Sequence, residues 1–327
     1  WGQHMDAVFR DRILAGNITP IAELSSAFLR AKNGDDMNFA YFESSMVVEH
    51  VVNLHGIAAL NAVLNDLNAG VQINDALDRH AGGLESLERA FTTYLTERAG
   101  EYAKGVDFST EAFAEARPSD IDSVRRFLEQ HPDNYSAMLS EASLLIKNSQ
   151  LTEAEVALKR LIEVAPDDDS IDGPRPMLAG VYRRNEQPEQ EAAILNEHLL
   201  RTADDLEAAL RLQELCENAN QPERVVELGQ TIVAIDPFLV NAIQRTLKAA
   251  ESLQQTEVAV NQLTSLLQLQ PDDAARLHFR IAKMLRETDQ NQSQRHVLLA
   301  LESAPRFREA HQLLLELKSR TGQQNVE

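Results

Sequence analysis

The chain has 327 residues, of which 43% are hydrophobic and 25% charged, so it is long enough for two domains with substantial cores. Its formal net charge of −20 argues against a nucleic-acid partner and against an anionic membrane surface, because both bind basic faces. No uninterrupted apolar run approaches the roughly 20 residues that span a bilayer, so we predict no membrane insertion. The low Gly and Pro content favours helix over strand.

The chain begins at Trp1 without a signal-peptide pattern, and we interpret it as part of a larger bacterial protein. This interpretation leaves the compartment of the parent protein open. The single Cys216 excludes an internal disulfide framework. Cys216 also falls on the apolar side of a predicted helix, where we expect a small core residue rather than a reactive thiol.

Residues 1–105 show no internal repeat, and their periodicity predicts a small helical unit. Gly56 is expected to end one helix, and the Gly82-Gly83 pair another. The predicted helices are Ile21–Lys32, Ala40–Leu54, Gly56–Leu67, Ile73–Gly82 and Leu84–Ala99.

The stretch "YFESSMVVEHVVNLHG", Tyr41 to Gly56, is followed by "IAALNAVLNDL" and "LESLERAFTTYL". This order of segments resembles the helical half of gluzincin-type, peptidase-MA-like zinc metallopeptidases. The resemblance implies that Tyr41 occupies the position of a tyrosine that donates a hydrogen bond to the tetrahedral oxyanion. The alternative is that Tyr41 only anchors the start of the helix with its ring buried. We expect Met46, Val47, Val51, Val52 and Leu54 to pack this helix.

A catalytic zinc site of this kind needs an HExxH motif, and the sequence contains none. His50 and His55 are five residues apart and diverge by roughly 140° around a helix, so they cannot hold one metal together. We therefore predict no metal, no cofactor and no catalysis for this chain. Zinc is expected only in a parent protein whose HExxH region would precede residue 1.

Residues 106–118 read as a linker, and a regular array follows. Helix breakers recur at separations of 34, 37, 34, 34 and 34 residues, at Pro132, Pro166, Ala203, Pro237, Pro271 and Pro305. A 34-residue helix–turn–helix unit with a terminal proline resembles the tetratricopeptide repeat (TPR). The resemblance implies a right-handed α-solenoid over residues 119–320, so the predicted fold is all-α: a small helical unit followed by this solenoid.

The predicted array consists of an opening half-repeat, five repeats and a cap helix, followed by a tail at 321–327. The repeats are 133–166, 167–203, 204–237, 238–271 and 272–305, and the cap helix is 306–320. Small residues are expected at helix contacts (Ala142, Ala154, Ala179 and Ala259) and large ones on the ridges (Leu145, Tyr182 and Met284). Leu161, Leu266 and Ser293 depart from the family pattern.

The 37-residue interval carries three extra residues in "PDDDSIDGPRP". This stretch resembles the start of a calcium loop, but Ala179 stands where the closing Glu should be. We therefore expect a solvated turn whose Asp residues cap the next helix.

The first helix of each repeat lines the concave face of a TPR array, and the resemblance implies a protein or peptide partner there. The alternative is that these residues form only a solvated face. The predicted lining residues are Lys147, Arg183, Arg184, Glu214, Asn218, Asn241, Gln244, Lys248, His278 and Arg286, with Ser136, Ser143, Glu207 and Glu251 beside them.

Overall fold

The computed structural model describes residues 5–116, 120–269 and 271–324, which form helices and no β-strand. The predicted all-α fold is therefore confirmed. The contacts divide the chain into two units, Trp1–Asn185 and Glu186–Glu327. This division falls inside the predicted repeat 167–203, and the domain boundaries predicted from the sequence stay predictions.

The first unit begins with helices that precede the repeats. They are α1 (Ala7–Leu14), α2 (Leu24–Arg30), α3 (Gly34–Asn68), α4 (Ile73–His80), α5 (Leu84–Glu101) and α6 (Glu111–Ala116). The sequence analysis missed α1 and also α6, which lies in the predicted linker. The predicted helix at Ile21 starts as a short 3₁₀ turn, Ile21–Glu23, before α2.

Helix α3 organises the core of these first helices. It begins at Asn33, whose side chain accepts a hydrogen bond from the Asp36 backbone N–H. Its Phe39 and Phe42 rings pack on Phe9 of α1, with centroid distances of 5.3 and 4.9 Å. The aromatic cluster therefore joins two helices that are distant in sequence.

Gly56 interrupts α3 with φ 76° and ψ 167°, a backbone conformation that favours glycine, so the predicted helix stop is confirmed. Met46, Val47 and Val51 are buried as expected. The prediction for Leu54 is wrong, because its side chain is 54% exposed. Leu54 lies in the last turn before Gly56, beyond the turn where His50 packs on Phe91 and Tyr94.

By length and composition alone, α3 passes the test for a helix that could cross a membrane. Core helices of globular proteins pass the same test, but only 22% of the apolar stretch of α3 is buried. The absence of membrane insertion stays a prediction.

The first unit ends with the helix of the predicted half-repeat, the first predicted repeat hairpin and one further helix. These helices are α7 (Ile121–Gln130), α8 (Tyr135–Lys147), α9 (Leu151–Val164) and α10 (Pro174–Arg184). Each packs on the next in chain order. The Asp120 side chain caps α7 in a capping box with Ser123.

Residues of the predicted linker are hydrogen-bonded to the start of the first repeat. The Asp107 backbone N–H donates to the Asp133 carbonyl at 2.9 Å, and the Tyr135 N–H donates to the Asp107 carbonyl at 2.8 Å. Asn134, which caps α8, also donates through Nδ2 to the Asp107 carboxylate at 3.0 Å. These bonds fix the linker's first residues against the first repeat.

The loop with three extra residues is exposed at Asp167, Ser170 and Asp172, as expected of a solvated turn, but it also contacts a buried charge. Arg175 is 1% exposed and donates to the carbonyl oxygens of Pro166 and Asp168. The Asp168 carboxylate accepts from the Tyr135 hydroxyl, and burial with this nearby charge raises the pKa of Tyr135. The expected Asp cap is wrong, since α10 begins after Gly173 without a side-chain cap. Two backbone carbonyls at the start of the loop instead accept hydrogen bonds from a buried guanidinium group.

The second unit is a run of helices in which successive helices pack on each other in chain order. They are α11 (Pro188–Leu199), α12 (Leu206–Asn218), α13 (Pro222–Ile235), α14 (Val240–Ser252), α15 (Thr256–Leu269), α16 (Ala274–Leu285), α17 (Gln290–Ser303) and α18 (Arg308–Gln324). The second helices end shortly before the predicted breakers. Helix α18 continues into the predicted tail as far as Gln324.

The small residues expected at helix contacts are buried: Ala142, Ala154, Ala179 and Ala259. Ser293 departs from the repeat pattern and is also fully buried. Its hydroxyl donates a hydrogen bond to the Ala282 carbonyl at 2.7 Å. The hairpin therefore satisfies this polar side chain inside the helix contact.

Helix α13 approaches α14 closely at Gly229. A Cβ atom placed on Gly229 would lie 1.9 Å from the Thr246 hydroxyl oxygen. The buried Gln213 of α12 donates to that same oxygen at 3.0 Å. Only glycine fits this contact.

Candidate functional site

In the second unit, α14 carries a continuous polar stripe opposite its buried side. Its buried residues include Ala242, Ile243 and Leu247. The predicted lining residues of α14 are all exposed: Asn241, Gln244, Lys248 and Glu251. Their spacing of three or four residues places them along one face of the helix. The structure thus brings the predicted residues of this helix together.

Ion pairs connect this stripe to the neighbouring first helices. Glu217 of α12 accepts from Lys248 at 2.8 Å and from Arg245 at 3.2 Å. Glu251 of α14 pairs in the same way with Arg280 of α16. Because Glu217 and Glu251 are 34 residues apart, a glutamate accepts an ion pair from the next first helix at the same position in two successive repeats. The first helices of three successive repeats therefore lie side by side.

One buried charge on this side of the unit was not predicted from the sequence. Glu191 of α11 is 1% exposed and accepts two hydrogen bonds from Arg211 of α12, both at 2.7 Å. Arg211 also pairs with the predicted residue Glu214 at 2.9 Å. The hydrogen bonds that Arg211 donates to Glu191 raise the pKa of Arg211, so the guanidinium stays charged. The only sequence signal was a Glu on the apolar side of α11.

The remaining predicted lining residues, on α12 and α16, differ in their exposure and contacts. Arg286 is exposed and pairs with the adjacent Glu287 at 3.0 Å. His278 of α16 is half-buried, and its Nδ1 lies 3.0 Å from Nδ1 of His296 on α17. His278 therefore contacts the second helix of its own hairpin. Asn218 of α12 is exposed.

In the first unit, Lys147, Arg183 and Arg184 lie at the carboxyl ends of first helices, and all three are exposed. A cation there is favourable because it interacts with the negative end of the helix dipole. Arg184 of α10 donates to the Ile146 carbonyl of α8 at 3.2 Å. The two first helices of this unit are thereby linked at their carboxyl ends.

Tyr41 lies on an exposed part of α3. Its side chain is 54% exposed, and its ring contacts the edge of Phe28 at 4.9 Å between centroids. The alternative that Tyr41 anchors the helix with a buried ring is therefore wrong. The hydroxyl role implied by the resemblance remains a prediction.

A small polar cavity lies on another side of α3. It has a volume of about 280 Å³ and is lined by Arg12, Arg30, Lys32, Asp36 and Glu43 among others. Glu43 is fully buried, and its Oε1 accepts from the Thr19 backbone N–H at 2.6 Å. Burial raises the pKa of Glu43. The sequence signal was a Glu at helical spacing among the aromatic core residues.

His50 is buried on the same helix. Its ring stacks on Tyr94 at 4.7 Å, and burial lowers its pKa. The Tyr94 hydroxyl donates to Glu49 at 2.9 Å and accepts from Arg98 at 2.6 Å. Among the residues that the structure describes, no group of three or more His, Cys, Asp or Glu side chains is placed to hold a metal ion.

Comparison with known proteins gives fold likenesses only. No protein-family profile matches the chain, and no curated protein matches it. Among solved structures, YrrB, "a TPR protein with an unusual peptide-binding site", is 14% identical with a TM-score of 0.39, over 61% of this chain and 99% of that one. MamA is 12% identical with a TM-score of 0.36, over 54% of this chain and 94% of that one.

The complex of Naa15/Naa10 bound to HypK-THB also resembles the chain. It is 13% identical with a TM-score of 0.46, over 63% of this chain and 32% of that one. At these identities and scores, the likenesses carry no inference about what this chain binds. The packing of successive helices into hairpins is seen in the contacts of this chain itself.

Proposed function

We propose that this chain is a non-catalytic scaffold that binds a peptide or protein segment on the first-helix face of its second unit. We define this face by the exposed residues Asn218, Asn241, Gln244 and Lys248 together with the ion-paired Glu217 and Glu251. The single observation that carries the proposal is the recurrence of the Glu217 and Glu251 bridges. Because these bridges hold neighbouring first helices in register, their polar stripes form one continuous surface.

The chemistry of this face suits an extended peptide. Asn218, Asn241 and Gln244 each offer a carboxamide with both a donor and an acceptor, which is what an unpaired peptide backbone requires. The Lys248 and Glu217 charges neutralise each other. A partner would therefore be recognised mainly through its backbone, with charge contributing less.

The test is a selection of linear peptides on the intact chain, followed by affinity measurements on the variant Asn241→Ala/Gln244→Ala. Each lost hydrogen bond removes about 1 kcal/mol, so we expect the double variant to bind at least about tenfold more weakly. The matched control is Gln230→Ala/Asn261→Ala, which removes two exposed amides from the second helices α13 and α15. Equal weakening in both double variants would contradict the proposal.

The prediction that Arg183 and Arg184 of the first unit line a binding face can be tested in the same experiment. Reversing the charge of Arg183 and Arg184 together should weaken capture of a selected peptide only if the first-helix face of that unit also binds. Unchanged binding would confine the proposed surface to the second unit.

A second candidate function follows from the exposure of Tyr41. In this alternative, the chain is the substrate-recruiting carboxyl-terminal part of a zinc metallopeptidase whose HExxH region precedes residue 1. The exposed phenol supports it, since a donor to an oxyanion must reach the substrate. In a longer protein with peptidase activity, Tyr41→Phe should lower kcat by about 10²–10³-fold, the range found for lost oxyanion donors. A full rate in that variant would remove Tyr41 from the mechanism.

A further inference from the structure

The polar cavity beside α3 contains a buried carboxyl group with unused hydrogen-bonding capacity. Glu43 lines this cavity of about 280 Å³ and is fully buried. Its Oε1 accepts a hydrogen bond from the Thr19 backbone N–H at 2.6 Å, whereas its Oε2 has no partner among the described residues. Buried polar atoms in folded proteins are nearly always satisfied, so this atom indicates that another group occupies the cavity. The peptide-binding face proposed above lies in the second unit and does not use this site.

The protonation state of Glu43 decides what that group must supply. An ionised carboxylate needs a donor for Oε2, whereas a neutral carboxylic acid needs an acceptor. Burial raises the pKa of Glu43 against the opposing hydrogen bonds from Thr19 and the nearby Arg12 charge, and the Glu88 charge raises it further. The neutral form is therefore favoured relative to an exposed glutamate. In that form Oε1 still accepts from Thr19, and the Oε2 hydroxyl is a donor without an acceptor.

Cationic side chains line the rest of the cavity. They are Arg12, Arg30 and Lys32, and one further acid, Asp36, lies among them. The Lys32 backbone N–H donates to the Asp36 carboxylate at 3.1 Å, and Arg12 donates to it at 3.0 Å. These hydrogen bonds lower the pKa of Asp36, so this carboxyl group stays ionised. Because three cations outweigh the single Asp36 charge, the cavity attracts an anion although the whole chain carries a net charge of −20.

We propose that this cavity binds a small organic monocarboxylate, which accepts a hydrogen bond from the Glu43 Oε2 hydroxyl and lies close to the Arg30 and Lys32 cations. A hydrogen bond from a neutral carboxyl group to a carboxylate is charge-assisted and therefore strong. A doubly charged anion such as phosphate fits less well, because the ionised Asp36 repels its second charge. An ammonium ligand is disfavoured by the three cations.

The test is calorimetric titration of the intact chain with L-lactate and with pyruvate, in buffers free of carboxylate and phosphate. Inorganic phosphate and ethylammonium chloride are the contrasting probes, and we expect both to bind more weakly than the two monocarboxylates. Lys32→Gln and Arg30→Gln should each weaken monocarboxylate binding about tenfold, because each removes a hydrogen bond to a charged group. The matched controls are Lys104→Gln and Arg89→Gln, at exposed side chains of the same unit that do not line the cavity.

The pH dependence distinguishes a Glu43 that binds the anion from one that only stabilises the fold. Binding requires the neutral carboxyl group, so the affinity for lactate should fall as pH rises from about 5 to 8.5, and binding should take up protons. Glu43→Gln keeps the Oε1 acceptor for Thr19 and replaces the hydroxyl by an N–H donor that does not titrate. We expect this variant to bind lactate with an affinity that no longer depends on pH.

Proton uptake is measured on the unmodified chain, which covers the case in which Glu43→Gln fails to fold. The absence of heat with both monocarboxylates would overturn the proposal and would leave Oε2 to an ordered water. A wild-type affinity that rises with pH or does not change with it would also contradict the proposal, as would tighter binding of phosphate or ethylammonium. Lactate binding that Lys32→Gln and Arg30→Gln weaken no more than the controls would place the anion outside this cavity.

Discussion

The helices before residue 105 and the hairpins of the second unit bury their cores in different ways. In the hairpins, the buried positions recur every 34 residues, as at Ala209, Ile243 and Leu277. In the first helices, a non-repeating cluster of Phe9, Phe39 and Phe42 joins distant parts of the chain. A repeated environment can therefore be recognised from the spacing of residues, whereas a unique one cannot.

The largest expected effect is on the aromatic cluster. Phe42→Ala removes a fully buried ring that contacts Phe9 at 4.9 Å, and we expect a loss of about 3–5 kcal/mol in the free energy of unfolding. Hydrogen-exchange mass spectrometry should show faster exchange in α1, α3 and α5, with α12–α15 unchanged. The control is Leu29→Ala at an 89% exposed side chain. Equal losses in both regions would refute the separation of their cores.

A smaller effect is expected from the buried ion pair of the repeat hairpins. Arg211→Met keeps the aliphatic stem but leaves the Glu191 carboxylate buried without its two donors, which costs about 3 kcal/mol. Urea unfolding should show a lower midpoint with an unchanged slope. Arg286→Met, at an exposed pair, should change stability by no more than about 0.5 kcal/mol. Similar midpoints for the two variants would show that the Glu191 pair is not structural.

Replacing glycine by alanine should have opposite effects on stability at two helical positions, Gly229 and Gly180. Gly229→Ala places a methyl group against Thr246 and should destabilise the second unit by about 1–3 kcal/mol. Gly180 also lies inside a helix, but nothing stands within 4 Å of an added Cβ. Gly180→Ala should therefore stabilise by about 0.5–1 kcal/mol through helix propensity. Thermal unfolding of the two variants measures both signs, and a stabilised Gly229→Ala chain would contradict the packing at α14.

The smallest effect concerns pH and His50. Burial, with His55 nearby, lowers the pKa of His50, so the folded state holds this imidazole neutral while the unfolded state takes up a proton below about pH 6.5. Stability from this group is present above that pH and is lost as pH falls, by at most about 1.4 kcal/mol per pH unit. His50→Phe keeps the stacking on Tyr94 and should flatten the pH dependence relative to the wild type. Urea midpoints at pH 7 and 5.5 measure this difference, with the exposed His311→Gln as control. An unchanged slope in His50→Phe would mean that His50 is not held neutral by the fold.

The sequence predicted those features that depend on local spacing. Breakers such as Pro237 and Pro305 lie two residues beyond the ends of α13 and α17, and Cys216 is buried as predicted. The buried Glu191, Glu43 and Arg175 could not be predicted, because their partners are 7 to 24 residues away and on other elements or loops. Such long-range pairs depend on how the helices stack, which the periodicity of one helix does not specify.

The same limit applies to the candidate surface. The resemblance to the TPR implied that Asn241, Gln244 and Lys248 share one face of a helix, and all three are exposed on α14. Spacing did not reveal that Glu217 and Glu251 join that face to its neighbours, nor that His278 contacts His296.

The most direct test of the central claim is NMR chemical-shift mapping of a selected linear peptide on the intact chain. We predict that the largest shifts fall on the exposed residues of α12 and α14, including the side-chain amides of Asn241 and Gln244. Shifts concentrated on α13, α15 and α17 instead would show that the first-helix face is only a solvated surface.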